Sequence, residues 1–257
     1  MNVPTMAELA AQGKKPDILF WVGCAGSYDD RAKKITRAFV KILNKAQVNF
    51  AVLGSEESCT GDPAKRAGNE MLFQMQALTN IEILNAYEVK KIVTTCPHCM
   101  NTIGNEYPQL GGNYEVIHHT QLINKLIEEG KLSIEGGSYQ GKRISYHDPC
   151  YLGRANDIYE APRILLKQLD GDLVEAENSR SKSTCCGAGG AQMFKDAEKG
   201  TMEVFEKRTG ELVALKPQVI ATACAFCNTM LTDGIKGENK EDRIEVLDIA
   251  ELIAKDL

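Results

Sequence analysis

Short apolar runs and longer amphipathic stretches take turns along the chain. In residues 17–23 the stretch Ile18-Leu19-Phe20-Trp21-Val22 is apolar at every position, as in a parallel strand buried on both faces, and the run ends at Cys24. Over residues 29–47, Ile35, Phe39, Ile42 and Leu43 return at helical spacing with Lys and Arg between them. Residues 48–54 predict a second strand, leading into a loop with Cys59-Thr60-Gly61-Asp62-Pro63 and a long helix over about 64–87. A third strand, 91–95, delivers Cys96-Pro97-His98-Cys99, and a fourth, 114–118, precedes a helix to about residue 129. Residues 1–16 form a polar preface, so the first cysteine-rich half covers 17–130.

Residues 131–141, with glycines at 136, 137 and 141, read as a linker. Beyond it, over 142–257, the order repeats. A strand at 143–149 ends at Cys150, and a helix around 158–169 precedes a short strand at 172–175. The Cys185-Cys186 loop comes next, then a helix from about 197 to 215 and a strand at 218–223 that delivers Cys224-Ala225-Phe226-Cys227. A strand at 245–247 and a helix from 249 to about 255 close the chain. Cys24 to Cys59 spans 35 positions, as does Cys150 to Cys185, and both halves finish with a Cys-x-x-Cys pair. Self-similarity of this kind indicates an internal duplication. The expected fold is therefore α/β, a tandem duplication of a small parallel-sheet unit with right-handed crossovers. Every cysteine lies just past a predicted strand, at the rim where such sheets gather ligands.

Composition narrows the partners. The chain has 257 residues, 43% hydrophobic and 25% charged, enough for two small domains with real cores. A net charge of −5 without a long Lys/Arg block argues against nucleic acid. The first residues lack the basic and apolar regions of a signal peptide, and no apolar run is long enough for a bilayer. We expect a cytoplasmic protein without direct membrane insertion, any association with a membrane coming through a partner. Nine cysteines are too sparse for a disulfide scaffold, and an odd number cannot pair completely within the chain.

The sharpest stretch is Thr184-Cys185-Cys186-Gly187-Ala188-Gly189-Gly190-Ala191. Adjacent residues diverge by about 100° on a helix and face opposite ways on a strand, so two neighbouring thiols serve a packed core poorly. A turn can aim both at one object, and the glycines that follow allow a close approach. The plainer reading is two small buried hydrophobes before a flexible turn. Cys150, Cys185, Cys186, Cys224 and Cys227 supply five thiolates in the second half. Cys24, Cys59, Cys96 and Cys99 supply four in the first, with Thr60 where a fifth would stand. Soft thiolates select zinc, copper(I) or iron–sulfur clusters. A closed zinc site takes four ligands, which leaves one of the five over, so the second half favours an iron–sulfur cluster. The first half leaves zinc or a four-cysteine cluster open.

Cys150, Cys185-Cys186-Gly187 and Cys224-Ala225-Phe226-Cys227 together resemble the cysteine-rich (CCG) domain found in the B-type subunit of heterodisulfide reductases. The same domain occurs in iron–sulfur subunits of glycolate oxidase, anaerobic glycerol-3-phosphate dehydrogenase and a lactate-utilisation complex. The resemblance covers nearly the whole chain after Pro16. It implies two Rossmann-like halves in tandem and a noncubane [4Fe-4S] cluster on Cys150, Cys185, Cys186, Cys224 and Cys227. Thr60 departs from the pattern, so Cys24, Cys59, Cys96 and Cys99 are expected to hold a conventional [4Fe-4S] cluster or zinc. The Cys-x-x-Cys-x-x-Cys ferredoxin segment of several relatives does not occur in this sequence, so electrons are expected from a partner subunit carrying ferredoxin-type clusters or flavin.

The expected function is thus an iron–sulfur oxidoreductase subunit in a heterodisulfide-reductase-like or organic-acid (lactate or glycolate) dehydrogenase complex. The alternative is a zinc-binding interaction module without redox activity. A thiol–disulfide enzyme using Cys185 and Cys186 directly would need a strained ring between neighbours. Among lesser candidates, His98, between Cys96 and Cys99, is either a metal ligand or proton relay or, the preferred reading, an outer or surface residue beside a complete set of thiolates. His147 is either a hydrogen-bond donor to a cluster sulfur or part of a turn-capped strand end. Arg154 and Lys195 lie near the cysteine loops, where they hold an anion or are simply solvated. His118 and His119 are read as structural, and the glycine run after Cys186 lacks the spacing of a dinucleotide loop.

Overall fold

The computed structural model describes residues 3–196 and 199–257, in two compact units, Met1–Leu132 and Ser133–Leu257. Each is a parallel four-stranded sheet interleaved with helices, so the α/β duplication expected from the sequence is what the chain forms.

The first unit opens with helix α1 (Met6–Ala11), within the stretch read as a polar preface. A capping box closes its amino end: Thr5 accepts from the Glu8 N–H and Glu8 accepts from the Thr5 N–H. Strand β1 (Ile18–Trp21) is buried at every position, as its unbroken apolar run requires. The short helix α2 (Gly23–Tyr28) follows, then α3 (Ala32–Lys45), which buries Ile35, Phe39, Ile42 and Leu43. Phe39 meets Phe20 of β1 edge-on at 5.0 Å between centroids. Strand β2 (Phe50–Ala51) is much shorter than the apolar run suggested.

The helix expected over 64–87 is in fact two, α4 (Asp62–Arg66) and α5 (Glu70–Ala86). The break falls where Gly68 takes φ 86° and Asn69 caps α5 by accepting from Leu72 N–H. Strand β3 (Lys91–Thr94) leads into α6 (Pro97–Asn101), continued by a π turn over Thr102–Glu106 and a 3-10 turn over Tyr107–Leu110. Strand β4 (Glu115–His118) and α7 (His119–Glu128) complete the unit, whose strands lie side by side as β2-β1-β3-β4.

Residues 131–141 contain no helix or strand, yet Tyr139 is fully buried and Glu135 N–H donates to the Asp256 carbonyl at 2.8 Å. The second unit then runs β5 (Arg143–Tyr146), α8 (Glu160–Lys167), β6 (Asp172–Val174) and α9 (Val204–Val213). The helix expected from about 197 starts only at Val204, behind a capping box between Glu203 and Glu206. Residues 197 and 198 of that expectation lie outside the described residues. Strand β7 (Val219–Thr222) feeds α10 (Ala225–Gly237), a helix the periodicity did not reveal, and β8 (Glu245–Asp248) leads into α11 (Ile249–Lys255). The order is β6-β5-β7-β8, the first sheet's order again. Leu212 of α9, Ile220 of β7, Leu231 and Ile235 of α10 and Val246 of β8 form one apolar cluster. Among the described residues, no helix is long and apolar enough to cross a membrane.

Candidate metal centres

Parallel pairing sends every strand's carboxyl end to the same edge of its sheet, and the cysteines follow those ends. In the first unit Cys24 sits in the opening turn of α2 after β1, Cys59 and Thr60 in the connection after β2, and Cys96 and Cys99 at the start of α6 after β3. Gly23 is required here: it takes φ 79°, and a Cβ on it would come within 3.3 Å of Cys99 Sγ. The Glu57 carboxylate accepts from the N–H groups of Val22 (3.0 Å) and Gly23 (2.6 Å), which ties the turn before Cys24 to the loop before Cys59. Burial pushes the Glu57 carboxyl up to about 7.

These placements bring the four first-half cysteines together. Cys24 and Cys59 share a hydrogen bond that holds Cys59 down to about 7 and, with burial, drives Cys24 far up. Cys99 is pushed up by its bond to Cys96, then by burial and by the charges of Cys96, Cys24 and Cys59. The loop is braced from behind by residues the sequence did not single out. Asn80 of α5, fully buried, donates to the Cys59 carbonyl (3.0 Å) and to Tyr107 Oη (3.0 Å), and Tyr107 donates on to the Thr60 carbonyl (3.1 Å). A polar residue on the buried face of α5, level with Phe73, Ala77 and Leu84, was the one available signal.

His98 is buried and does not face solvent. Its Nδ1 lies 2.9 Å from Asp62 Oδ2, and Asp62 in turn takes a bond from Arg66 Nε at 3.1 Å. Glu106 pairs with Arg66 and with Lys65, so His98 belongs to a network of ion pairs beside the thiols. His118 and His119 are fully buried, and His118 Nδ1 lies 2.8 Å from Thr120 Oγ1 at the cap of α7.

In the second unit the five predicted cysteines form one chain of sulfur contacts. All five are free thiols, and hydrogen bonds link Cys150 to Cys185, Cys185 to Cys186, Cys186 to Cys227 and Cys227 to Cys224. The Cys186–Cys227 distance is 3.3 Å, and the Gly187 N–H donates to Cys185 Sγ, also at 3.3 Å. Cys185 is held down to about 2 by the thiols of Cys150 and Cys186 and by that N–H. Its neighbours Cys150, Cys186 and Cys227 are pushed up by the same bonds and by burial. Cys224 is the cap residue of the 13-residue α10 and Cys227 stands in its first turn, where the helix dipole favours negative charge. Gly187 turns at φ 86° against Val204, whose Cβ would lie 3.3 Å from any added Cβ.

Charged groups hold the two loops that carry these thiols. Arg163 of α8 grips Asp148, two residues before Cys150, and Glu175, just past β6. Arg154 donates to the Ser183 carbonyl at 2.7 Å, so it props the loop before Cys185. Lys195 is exposed and lines an open pocket of about 620 Å³ with Gly187, Met193, Met202, Phe205 and Met230. His147, 1% exposed, accepts at Nδ1 from Arg208 Nε at 3.1 Å, and a ring nitrogen of it lies within 4.8 Å of the sulfurs of Cys186 and Cys227. Burial, then the Arg208 charge, lowers His147 to about 3, so its ring is neutral. Neither Arg163 nor Arg208 left a trace in the sequence pattern.

The donor set suits a thiophilic metal group. Buried thiols packed sulfur to sulfur ionise poorly together, since each thiolate raises its neighbours, and cations are what allow all of them to ionise. Four such thiols satisfy a tetrahedral zinc or a four-cysteine cluster, and five exceed what zinc takes.

Comparison with known proteins shows the family. The family profile described as CCG, cysteine-rich domain, matches twice, over residues 18–104 and 144–232. An EtfAB:quinone oxidoreductase of Syntrophomonas wolfei is 43% identical over 253 residues, covering 96% of this chain and 35% of that protein. The probable iron-sulfur-binding oxidoreductase FadF of Bacillus subtilis is 44% identical over 255 residues, covering 99% and 36%. One subunit of the dihydromethanophenazine:CoB–CoM heterodisulfide reductase of Methanosarcina barkeri is 34% identical over 250 residues, covering 95% and 59%. The chain thus spans about a third of the length of the first two relatives.

Proposed function

The chain belongs to the CCG cysteine-rich domain family, of iron–sulfur oxidoreductase type, and from that premise we propose that it is the cysteine-rich electron-transfer unit of a larger redox assembly. Cys150, Cys185, Cys186, Cys224 and Cys227 hold a [4Fe-4S] cluster of noncubane type. Cys24, Cys59, Cys96 and Cys99 hold a second [4Fe-4S] cluster or a zinc ion. Electrons come from a partner carrying flavin or ferredoxin-type clusters. The name of one relative, the EtfAB:quinone oxidoreductase at 43% identity, favours EtfAB as the kind of donor and quinone as the acceptor over a lactate or glycolate couple. The observation that carries this reading is the unbroken line of sulfur contacts from Cys150 to Cys224, one thiol more than zinc uses.

When bound, such a cluster stores and passes single electrons. The residues around it set its charge balance and keep it dry. The amino end of α10 and the Gly187 N–H offset its negative charge, and the burial of Cys186, Cys224 and Cys227 excludes water. Arg163 and Arg154 hold the loops so that the five sulfurs meet without reorganisation.

Anaerobic purification with iron, sulfide and zinc analysis, followed by EPR of oxidised and reduced samples, tests the reading. About eight iron per chain would place clusters in both halves, and about four iron with one zinc would make the first half structural. Cys186→Ser should then change the second-half signal alone. Zinc without iron, after anaerobic reconstitution, would overturn the redox reading in favour of an interaction module.

A further inference from the structure

A neutral imidazole has one N–H, and a guanidinium can only donate. Arg208 Nε donates to His147 Nδ1 at 3.1 Å, so Nδ1 carries the lone pair and the ring proton must sit on Nε2. Arg208 is itself held firmly: it is fully buried, and its Nη1 donates to the Asn178 carbonyl (3.0 Å) and to Glu211 Oε2 (2.9 Å). Glu211 Oε1 in turn takes a bond from Thr184 Oγ1 at 2.9 Å, which joins this arrangement to the residue before Cys185. His147 Nε2 is buried and has no hydrogen-bond partner among the described residues. The ring stands beside Cys186 and Cys227, within 4.8 Å of both sulfurs. A buried N–H left without an acceptor costs about 1–3 kcal/mol, so its persistence here calls for an acceptor.

We propose that Arg208 locks His147 in the Nε2–H tautomer, making His147 a hydrogen-bond donor to the sulfur of the second-half metal group and barring it from service as a ligand. A protonated nitrogen has no lone pair to coordinate with, so the cysteines remain the whole ligand set. An N–H directed at cluster sulfur favours the reduced, more negative state and raises the reduction potential. Arg208 is thus a positioning residue that acts through His147. This inference rests on the cluster reading above and goes further, because the metal group's potential is assigned to two residues that bind no metal.

The test uses the full cluster-loaded chain with its four histidines labelled with nitrogen-15, reduced and examined by pulsed EPR. The expected result is a weak nitrogen coupling and an exchangeable-proton coupling at the second-half signal, both lost in His147→Phe. The midpoint potential should fall in His147→Phe and be partly restored in His147→Gln, which keeps an N–H. In Arg208→Leu the exchangeable-proton coupling should weaken with iron content unchanged. A strong, directly bonded nitrogen coupling in the wild-type chain would overturn the inference without any variant. So would an unmoved potential in His147→Phe at full iron content, and an undiminished proton coupling in Arg208→Leu would overturn the lock. Absence of iron and sulfide from the wild-type chain is a different result, since it removes the cluster reading itself.

Discussion

Arg163 offers the most quantitative check on how the second-half site is built. It is 1% exposed, and all five guanidinium N–H groups are used. Nη1 and Nη2 grip Asp148 bidentately at 2.7 and 2.9 Å. Nε and Nη2 take Glu175 at 2.7 and 2.8 Å, and Nη1 also donates to the Tyr159 carbonyl at 2.9 Å. Arg163→Leu removes the cation and leaves Asp148, 4% exposed, as an uncompensated buried charge. Breaking a buried pair this way costs about 3–5 kcal/mol. Glu175, 34% exposed at its side chain, rehydrates, which argues for the lower end, about 3 kcal/mol. For a unit of this size that corresponds to a fall in Tm on the order of 10 °C. Thermal unfolding of the full chain by circular dichroism measures it, with a double-mutant cycle against Asp148→Asn to isolate the pair. Because Asp148 and Glu175 lie on the approaches to Cys150 and Cys185, iron loading of the second half should drop while first-half metal content holds. A destabilisation under about 1 kcal/mol, or a cycle with no coupling energy, would refute the reasoning.

Three further outcomes can be measured directly. The Glu57 carboxyl, pushed up to about 7 against an ordinary 4.5, keeps its proton when folded where the unfolded chain loses it. Its contribution is therefore full below pH 4.5 and is lost as pH rises through 7, about 3 kcal/mol at most, and Glu57→Gln should flatten that slope in denaturant titrations of metal-free chain. Asn80→Ala removes three hydrogen bonds behind the Cys59–Thr60 loop, to the Cys59 carbonyl, to Tyr107 Oη and from Ser58 Oγ, and should cost about 2–3 kcal/mol and perturb only the first-half metal signal; an equal change in the second-half signal would contradict the bracing. Gly234→Ala would gain about 1 kcal/mol from helix propensity. Its new Cβ would stand 2.9 Å from Thr209 Cβ, so overpacking should win and lower the melting temperature; a rise would show that α9 and α10 separate easily.

Much of the fold was legible because its central strands are buried on both faces. β1 and β7 are buried along their whole lengths, and such runs stand out in any sequence. The placement of the nine cysteines was legible from their repeated spacing past predicted strand ends. α10 escaped notice because Asn228, Thr229, Thr232 and Gly234 blur its apolar stripe, while Leu231 and Ile235 pack in the core. The long helix expected over 64–87 failed at Ala67-Gly68-Asn69, where a glycine at positive φ and an asparagine cap start a new axis. Arg163 and Arg208 were invisible for a different reason. Arginine is usually exposed, and its burial here depends on partners that tertiary folding alone supplies: Asp148 and Glu175 for one, His147 and Glu211 for the other. Arg154 was noticed for its charge, but its guanidinium serves a backbone carbonyl.

The two halves share one backbone plan, so what separates their sites has to lie in side chains. Thr60 stands where Cys186 stands, Asp62 where Ala188 does and His98 where Phe226 does. In the first unit Asp62 and His98 join Arg66 and Glu106 in an ion-paired network, and the Thr60 carbonyl is tied to Tyr107. In the second, Ala188 and Phe226 are buried apolar groups, with Phe194 edge-on to Phe226 at 6.2 Å, and the polar neighbour of the thiols is His147. Restoring a thiol at position 60 would therefore supply a donor without supplying its surroundings. A metal group's potential follows nearby charge, hydrogen bonding and burial as much as its ligands. Duplication thus gave the chain one scaffold twice, and the residues one step away from the thiols give each copy a different electrostatic setting.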